Sequence, residues 1–296
     1  MVIKNIYKQQ LDKLSELYGK TEAESILKIL YESIFDKPLG ILLVEKFDLS
    51  DKYIKTLENS FSKLLNFEPI QYILNKAYFF GYEFYVDENV LIPRNETEEL
   101  VKLILDSEDK NVQLKILDIG TGSGCIPITL KLERNNYDVF SMDISENALK
   151  VARKNAENLN ADVQFFCNNI LNLEETHCSS SQKFDIIVSN PPYVLEKEKS
   201  QMIQNVLGYE PELALFVPDD DPLKYYKAII NTLPLLLKDT GRLYLEINNL
   251  YADDLSLLLK QYFEKVEIHK DFRGNRRFIV GVSQKISKKL EFKRHL

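Results

Sequence analysis

Leu117-Asp118-Ile119-Gly120-Thr121-Gly122-Ser123-Gly124 runs from an apolar, strand-like segment straight into a turn with glycine at every second position. Glycine reaches positive φ at little steric cost and carries no side chain, so such a turn is tight and lets a ligand lie against the backbone. The spacing is GxGxG. It is neither the GxGxxG of dinucleotide sites nor a phosphate loop, because no Gly-Lys-Ser/Thr follows. Alone, the loop reads equally well as a plain turn, and its surroundings must decide.

Working outward, short apolar runs occupy 114–118, 138–142, 162–167, 184–190 and 241–247, with helical stretches such as 145–159 between them. Runs buried on both faces and joined by helical crossovers predict a mostly parallel sheet covered by helices on either side. Two further runs, 264–270 and 276–282, are separated only by DFRGN. A connection that short joins antiparallel neighbours, so the sheet is expected to end in an antiparallel strand.

Upstream, roughly the first 65 residues read as helix only. Tyr7, Leu11, Leu14 and Tyr18 form one helical stripe that Gly19 is placed to end. Thr21 and Glu24 read as a capping box for a second helix with Ile26, Leu27, Leu30 and Ile34 on its apolar face. Ser50 reads as the cap of a later helix bearing Ile54, Leu57, Phe61 and Leu64. From 71 to 91 aromatic and β-branched residues gather around Gly81, which suits two short strands. The expected organisation is a helical domain over 1–70, a β-hairpin connector over 71–92, a catalytic α/β domain over 93–285 and a basic, solvated tail over 286–296.

A length of 296 residues suits two domains, and 45% hydrophobic with 28% charged residues is ordinary globular composition. The net charge of −7 argues against a chain whose main task is gripping phosphate backbone. Cys125, Cys167 and Cys178 cannot all pair and show no CxxC spacing, which suggests neither a disulfide framework nor a zinc site. The first residues lack the apolar run of a signal peptide, and no window approaches about 18 consecutive apolar residues. A cytoplasmic protein without membrane spans or a metal site is expected.

Two further motifs carry chemistry. Asp143 follows the run 138–142 at the adjacent sheet edge, where a carboxylate can accept both hydroxyls of a ribose, although it could equally cap the helix starting near Ser145. Asn190-Pro191-Pro192-Tyr193 ends the run 184–190. Its prolines could merely terminate a strand, but they also remove two backbone donors and stiffen a frame holding an acceptor amide and a flat aromatic wall. The glycine loop, Asp143, Asn169 and Asn190 follow successive runs, and open α/β sheets bind ligands outside the carboxyl ends of their strands.

With Pro69-Ile70-Gln71-Tyr72-Ile73, Val90-Leu91-Ile92-Pro93-Arg94, Glu96-Thr97-Glu98 and Tyr209-Glu210-Pro211 added, essentially the whole chain resembles the S-adenosylmethionine-dependent protein-(glutamine-N5) methyltransferases that act on peptide chain release factors. GxGxG is common to many methyltransferases. NPPY is shared with enzymes that methylate amino groups of adenine, guanine or glutamine, and the combination with PRNETE is narrower. The sister family acting on a large-subunit ribosomal protein has a similar PR element without the ETE. PRNETE also contains an NxxE capping box, Asn95 to Glu98, and could simply start a helix.

The resemblance implies a class I methyltransferase, Rossmann-like, with a mostly parallel sheet, an antiparallel terminal strand and an N-terminal helical bundle that docks the partner. The implied cofactor is S-adenosyl-L-methionine, leaving as S-adenosyl-L-homocysteine. Gly120, Thr121, Gly122, Ser123 and Gly124 would line its methionine and ribose part, and Asp143 would hold the ribose hydroxyls. Asn169 and Ile170 would border the adenine, with Asp118, Ile144 and Asn190 also in the cofactor site. Asn190, Pro191, Pro192 and Tyr193 would be the catalytic segment, and the acceptor would be the glutamine of the GGQ loop in a class 1 release factor. Neither a membrane nor a nucleic-acid substrate is implied. The chain departs from the family pattern at Asn169 (usually Asp), Asn95 (commonly Pro), Asn248 (Gly in EIG) and Pro222 (a segment often containing glycine).

A carboxamide nitrogen is a poor nucleophile, so the expected mechanism is orientation. Asn190 Oδ1 and the Pro191 carbonyl accept the two N–H bonds, and Tyr193 supplies an aromatic wall. Glu246 is a candidate for a supporting contact behind them. His177, His269 and His295 lie outside the motifs and read as surface or structural, and Asp219-Asp220-Asp221 as a solvated loop. Rival readings are a ribosomal-protein glutamine methyltransferase, a nucleic-acid amino methyltransferase, a cofactor-binding protein without transfer activity and, least consistent with GxGxG, a nicotinamide oxidoreductase.

Overall fold

The computed structural model describes residues 3–44, 50–175, 183–202 and 204–285. His177, Cys178, His295 and the basic tail lie outside the described residues. By its internal contacts the chain forms two units: Met1–Lys76 with Val86–Glu88 and Gln201–Glu210, and the remainder.

The first unit holds α1 (Ile3–Tyr18), α2 (Lys20–Phe35), α3 (Leu39–Val44), α4 (Asp51–Leu65) and α5 (Ile70–Leu74). Leu14, Leu27, Leu30, Tyr31, Leu57 and Leu64 are buried among these helices, as the 3.6-residue period requires. Inside this core the Tyr31 hydroxyl donates to Gln10 Oε1 at 2.8 Å, which satisfies two buried polar groups.

The capping expectations need correction. Gly19 (φ 76) both ends α1 and stands at the N-cap of α2, its carbonyl accepting from Ala23 N, so Thr21 falls inside the first turn and forms no capping box. Ser50 does occupy the N-cap of α4 in extended conformation, but its hydroxyl makes no capping bond. α5 occupies the start of the stretch read as strand.

In the second unit β1 (Ala77–Phe79) and β2 (Tyr82–Phe84) form a hairpin whose turn residues Phe80 and Gly81 have φ of 53 and 84. Two successive positive φ values match the twist of flanking strands. Phe79 and Phe84 are buried in the core of this unit, so the hairpin expected as a connector packs into it.

The chain continues through α6 (Asn95–Ser107), β3 (Lys115–Ile119), α7 (Cys125–Glu133), β4 (Asp138–Asp143), α8 (Glu146–Asn158), β5 (Val163–Cys167) and β6 (Phe184–Ser189). After the short β7 (Val194–Leu195), α9 (Gln204–Leu207, which clusters with the first unit) and β8 (Phe216–Val217) come α10 (Lys224–Leu236) and β9 (Leu237–Glu246). α11 (Ala252–Leu259), β10 (Phe263–Lys270) and β11 (Arg276–Gln284) complete it.

The seven-stranded sheet has the order β10-β11-β9-β6-β3-β4-β5. β9, β6, β3, β4 and β5 are mutually parallel, and β11 is antiparallel to both its neighbours. The last strand is therefore antiparallel as expected, but it inserts between β9 and β10, and the edge belongs to β10. This is the class I methyltransferase arrangement.

Alternation along β3 shows how the sheet is covered. Ile116 joins Leu100, Ile104, Ile126 and Ile128 of α6 and α7 on one face. Leu117 joins Ile229, Leu233 and Leu255 of α10 and α11 on the other. The strand order reverses at β3, with β4 on one side and β6 on the other, which leaves a crevice at the carboxyl ends of these strands.

Candidate active site

A cavity of about 330 Å³ occupies that crevice. Gly120, Gly122, Asp143, Ile144, Asn169 and Ile170 line it together with Asn190, Pro191 and Pro192. Motifs distant in sequence thus meet where the parallel strands end.

The glycine loop is shaped by its backbone. Gly120, Gly122 and Gly124 have φ of 80, 52 and 82, which strain any residue with a Cβ. A Cβ at Gly120 or Gly122 would meet nothing within 4 Å, so the loop faces open space there. Gly124 is glycine for packing as well, because a Cβ would lie 2.8 Å from Ile128 Cδ1 and 3.2 Å from the Ala152 Cβ. Gly124, Thr121, Ser123 and Asp118 do not line the cavity. Asp118 is fully buried behind the loop and accepts from Ser141 Oγ at 2.7 Å. Desolvation pushes its carboxyl up to about 7.

Asp143 closes β4 and locks the loop. Gly122 N donates to its Oδ2 and Ser145 N to its Oδ1, each at 2.9 Å. The capping role is taken by Ser145, whose Oγ accepts from Ala148 N at 3.2 Å. Asp143 therefore keeps lone pairs on a carboxylate at the cavity wall. Burial raises its pKa above the ordinary carboxylate value.

The two asparagines after β5 divide their tasks. Asn169 Oδ1 accepts from Leu171 N at 2.9 Å and so caps the following turn. Asn168, not singled out from the sequence, is 6% exposed, lines the cavity and has neither Oδ1 nor Nδ2 partnered among the described residues. A buried amide without partners is costly and calls for a polar ligand.

Behind Asn190 lies a hydrogen-bonded chain. Asn190 Nδ2 donates to Thr97 Oγ1 at 3.0 Å, and the Thr97 hydroxyl donates to Glu246 Oε2 at 2.7 Å. The Tyr193 hydroxyl donates to Glu246 Oε1 at 3.0 Å and accepts from Arg277 Nη1 at 3.2 Å. Glu246 is 1% exposed; burial raises its pKa, while both hydroxyls and the Arg277 charge favour the carboxylate. Tyr193 does not line the cavity, and burial beside the Glu246 charge keeps its phenol protonated.

Arg94, rather than Asn95, stands at the N-cap of α6, so no capping box forms there. Glu98 instead accepts from Phe80 N at 2.9 Å in the hairpin turn. Asn248 has φ −72, which needs no glycine; its Oδ1 accepts from Leu250 N and its Nδ2 donates to the Tyr193 carbonyl. His269 lies on β10 away from the cavity. Asp221 pairs with Lys227 at 2.7 Å on the surface, while Asp219 and Asp220 are exposed.

Comparison with known proteins bears on the family. A family model described as a methyltransferase domain matches residues 110–291. A release factor glutamine methyltransferase of Flavobacterium psychrophilum is 43% identical over 94% of this chain and 98% of its own. Another, of Bacteroides thetaiotaomicron, is 42% identical over 90% and 95%. One from Bacillus subtilis is 40% identical over 73% and 76%. Among solved structures, the hMettl16 catalytic domain superposes with a TM-score of 0.52 at 15% identity, covering 81% of this chain and 84% of that one, a likeness of fold alone. With relatives this similar over nearly their full length, the chain belongs to the release factor glutamine methyltransferase family.

Proposed function

We propose that the cavity binds S-adenosyl-L-methionine and directs its methyl group to the side-chain nitrogen of a glutamine in the GGQ loop of a class 1 release factor. The observation that carries this reading is the held amide of Asn190. With Nδ2 committed to Thr97, Oδ1 is left as an acceptor on a residue that lines the cavity.

The residues present fit the cofactor. Gly120 and Gly122 offer a backbone cradle with open space above it. Asp143 offers a carboxylate suited to ribose hydroxyls, and the unpartnered Asn168 and the apolar Ile170 flank the position for adenine, beside Asn169. When bound, the cofactor supplies an electrophilic sulfonium methyl group.

Asn190 Oδ1 and the Pro191 carbonyl accept the two N–H bonds of the glutamine, which turns its nitrogen toward the methyl group. The gain comes from this near-attack positioning and from acceptors placed where positive charge develops on nitrogen. The proton then leaves to water. Tyr193 supports the segment from behind through Glu246. A release factor as partner is supported by the relatives' names; within it we assign the GGQ glutamine as acceptor, the helical unit as the docking element and the cytoplasm as the compartment. A net charge of −7 favours a protein over a nucleic-acid partner.

Radiolabelled S-adenosyl-L-methionine offered in parallel with a class 1 release factor, large-subunit ribosomal proteins and duplex DNA or RNA tests the reading. Label is expected on the release factor. Label on ribosomal protein or nucleic acid alone would reassign the acceptor.

A further inference from the structure

We infer that Glu246 and Thr97 are positioning residues that dictate which end of the Asn190 amide faces the acceptor nitrogen. The inference deepens the function proposed above and rests on the role given there to Asn190 Oδ1.

An asparagine amide can sit either way round, and only its hydrogen-bond network decides between nitrogen and oxygen. Here the network has one sense. A carboxylate only accepts, so both hydroxyls that reach Glu246, from Thr97 at 2.7 Å and Tyr193 at 3.0 Å, must point their protons at it. The Thr97 oxygen is then left as an acceptor, and the group 3.0 Å away on Asn190 must be the nitrogen. Asn190 Oδ1 is thereby committed to the opposite side. Arg277, donating to the Tyr193 oxygen, fixes the other hydroxyl in the same sense.

The chain unites four parts of one unit: Thr97 on the first turn of α6, Asn190 and Tyr193 after β6, Glu246 at the end of β9 and Arg277 on β11. Among the described residues the Glu246 carboxylate accepts from Thr97 and Tyr193 and does not line the cavity, so it acts on Asn190 through the Thr97 hydroxyl. A neutral amide at 246 removes the constraint: its NH2 can donate to Thr97, Thr97 can donate to Asn190, and the Asn190 nitrogen then turns toward the substrate. A donor would face a donor.

Two measurements test this. In wild-type protein, nuclear Overhauser contacts between the Asn190 side-chain amide protons and the Thr97 methyl group are expected, and they should weaken or vanish in Glu246→Gln. In transfer assays Glu246→Gln and Thr97→Val should lower kcat about 100-fold while cofactor affinity and the KM for release factor stay within about twofold. Thr97→Ser, which keeps the hydroxyl, should restore most of kcat. Wild-type kcat in Glu246→Gln, or Thr97→Ser as impaired as Thr97→Val, would overturn the inference. If wild-type protein transfers no methyl to release factor, the function reading fails on its own, and the amide contacts still decide the orientation. Their absence from the wild type overturns it.

Discussion

Asn190 and Thr97, separated by 93 residues in sequence, are joined by a hydrogen bond of 3.0 Å that ties the Asn-Pro-Pro-Tyr turn to the first turn of α6. This contact gives a physical reason for the two motifs to occur together. The threonine of Glu96-Thr97-Glu98 orients the asparagine, and Glu246 orients the threonine.

Replacing Asn190 by alanine removes the acceptor while leaving the glycine loop and Asp143 intact. Transfer should fall about 100- to 1000-fold, comparable to loss of one preorganised group in other active sites. Cofactor affinity by calorimetry should change little, since the bonds of Gly122 N and Ser145 N to Asp143 do not involve position 190.

Asp143→Ala removes the lock on Gly122 together with the carboxylate offered to the ribose. Charge-assisted hydrogen bonds contribute about 1.5–3 kcal/mol each, so cofactor affinity should drop at least tenfold. Isothermal titration measures it directly, and Asp143→Asn should lie between alanine and wild type.

The adjacent asparagines make opposite predictions. Asn168→Ala removes a buried amide whose polar atoms await a ligand, and should weaken cofactor binding by about 1.5 kcal/mol, roughly tenfold. Asn169 also lines the cavity, but its Oδ1 is already bonded to Leu171 N, so Asn169→Ala should cost less in affinity than in thermal stability. Paired binding and melting measurements separate the two.

Much of this was legible from the residues. The apolar runs at 114–118 and 184–190 became β3 and β6 because strands buried on both faces need no polar alternation. The short DFRGN link correctly implied an antiparallel pair, but no local signal says that β11 inserts between β9 and β10. The capping motifs at 21–24 and 95–98 misled because Gly19 and Arg94 stand at the caps instead. That Asn168 joins Asn169 at the cavity, with its amide left unpartnered among the described residues, was not readable, since the chain leaves β5 there and loses its period of two. Thr97 and Arg277 reach the site through pairings far apart in sequence, which only the fold reveals.

Asp118 predicts a pH signature of stability. Its carboxyl is pushed from 3.8 up to about 7 by desolvation, with the nearby Asp143 charge adding to the rise and the bond from Ser141 opposing it. A raised folded-state value means that the protonated form is favoured in the fold. The stability this contributes is fully present below about 3.8 and is lost as pH rises toward about 7. Asp118→Asn should therefore gain stability over wild type as pH increases across that window. Denaturant midpoints at several pH values, taken as differences between the two proteins, read it out.

The most direct test of the central claim is peptide mapping by tandem mass spectrometry of a class 1 release factor after incubation with this protein and S-adenosyl-L-methionine. The expected result is one added methyl group, located on the side-chain nitrogen of the GGQ glutamine and absent with Asn190→Ala. A methyl group at any other residue, or none from protein that demonstrably binds the cofactor, would contradict the account.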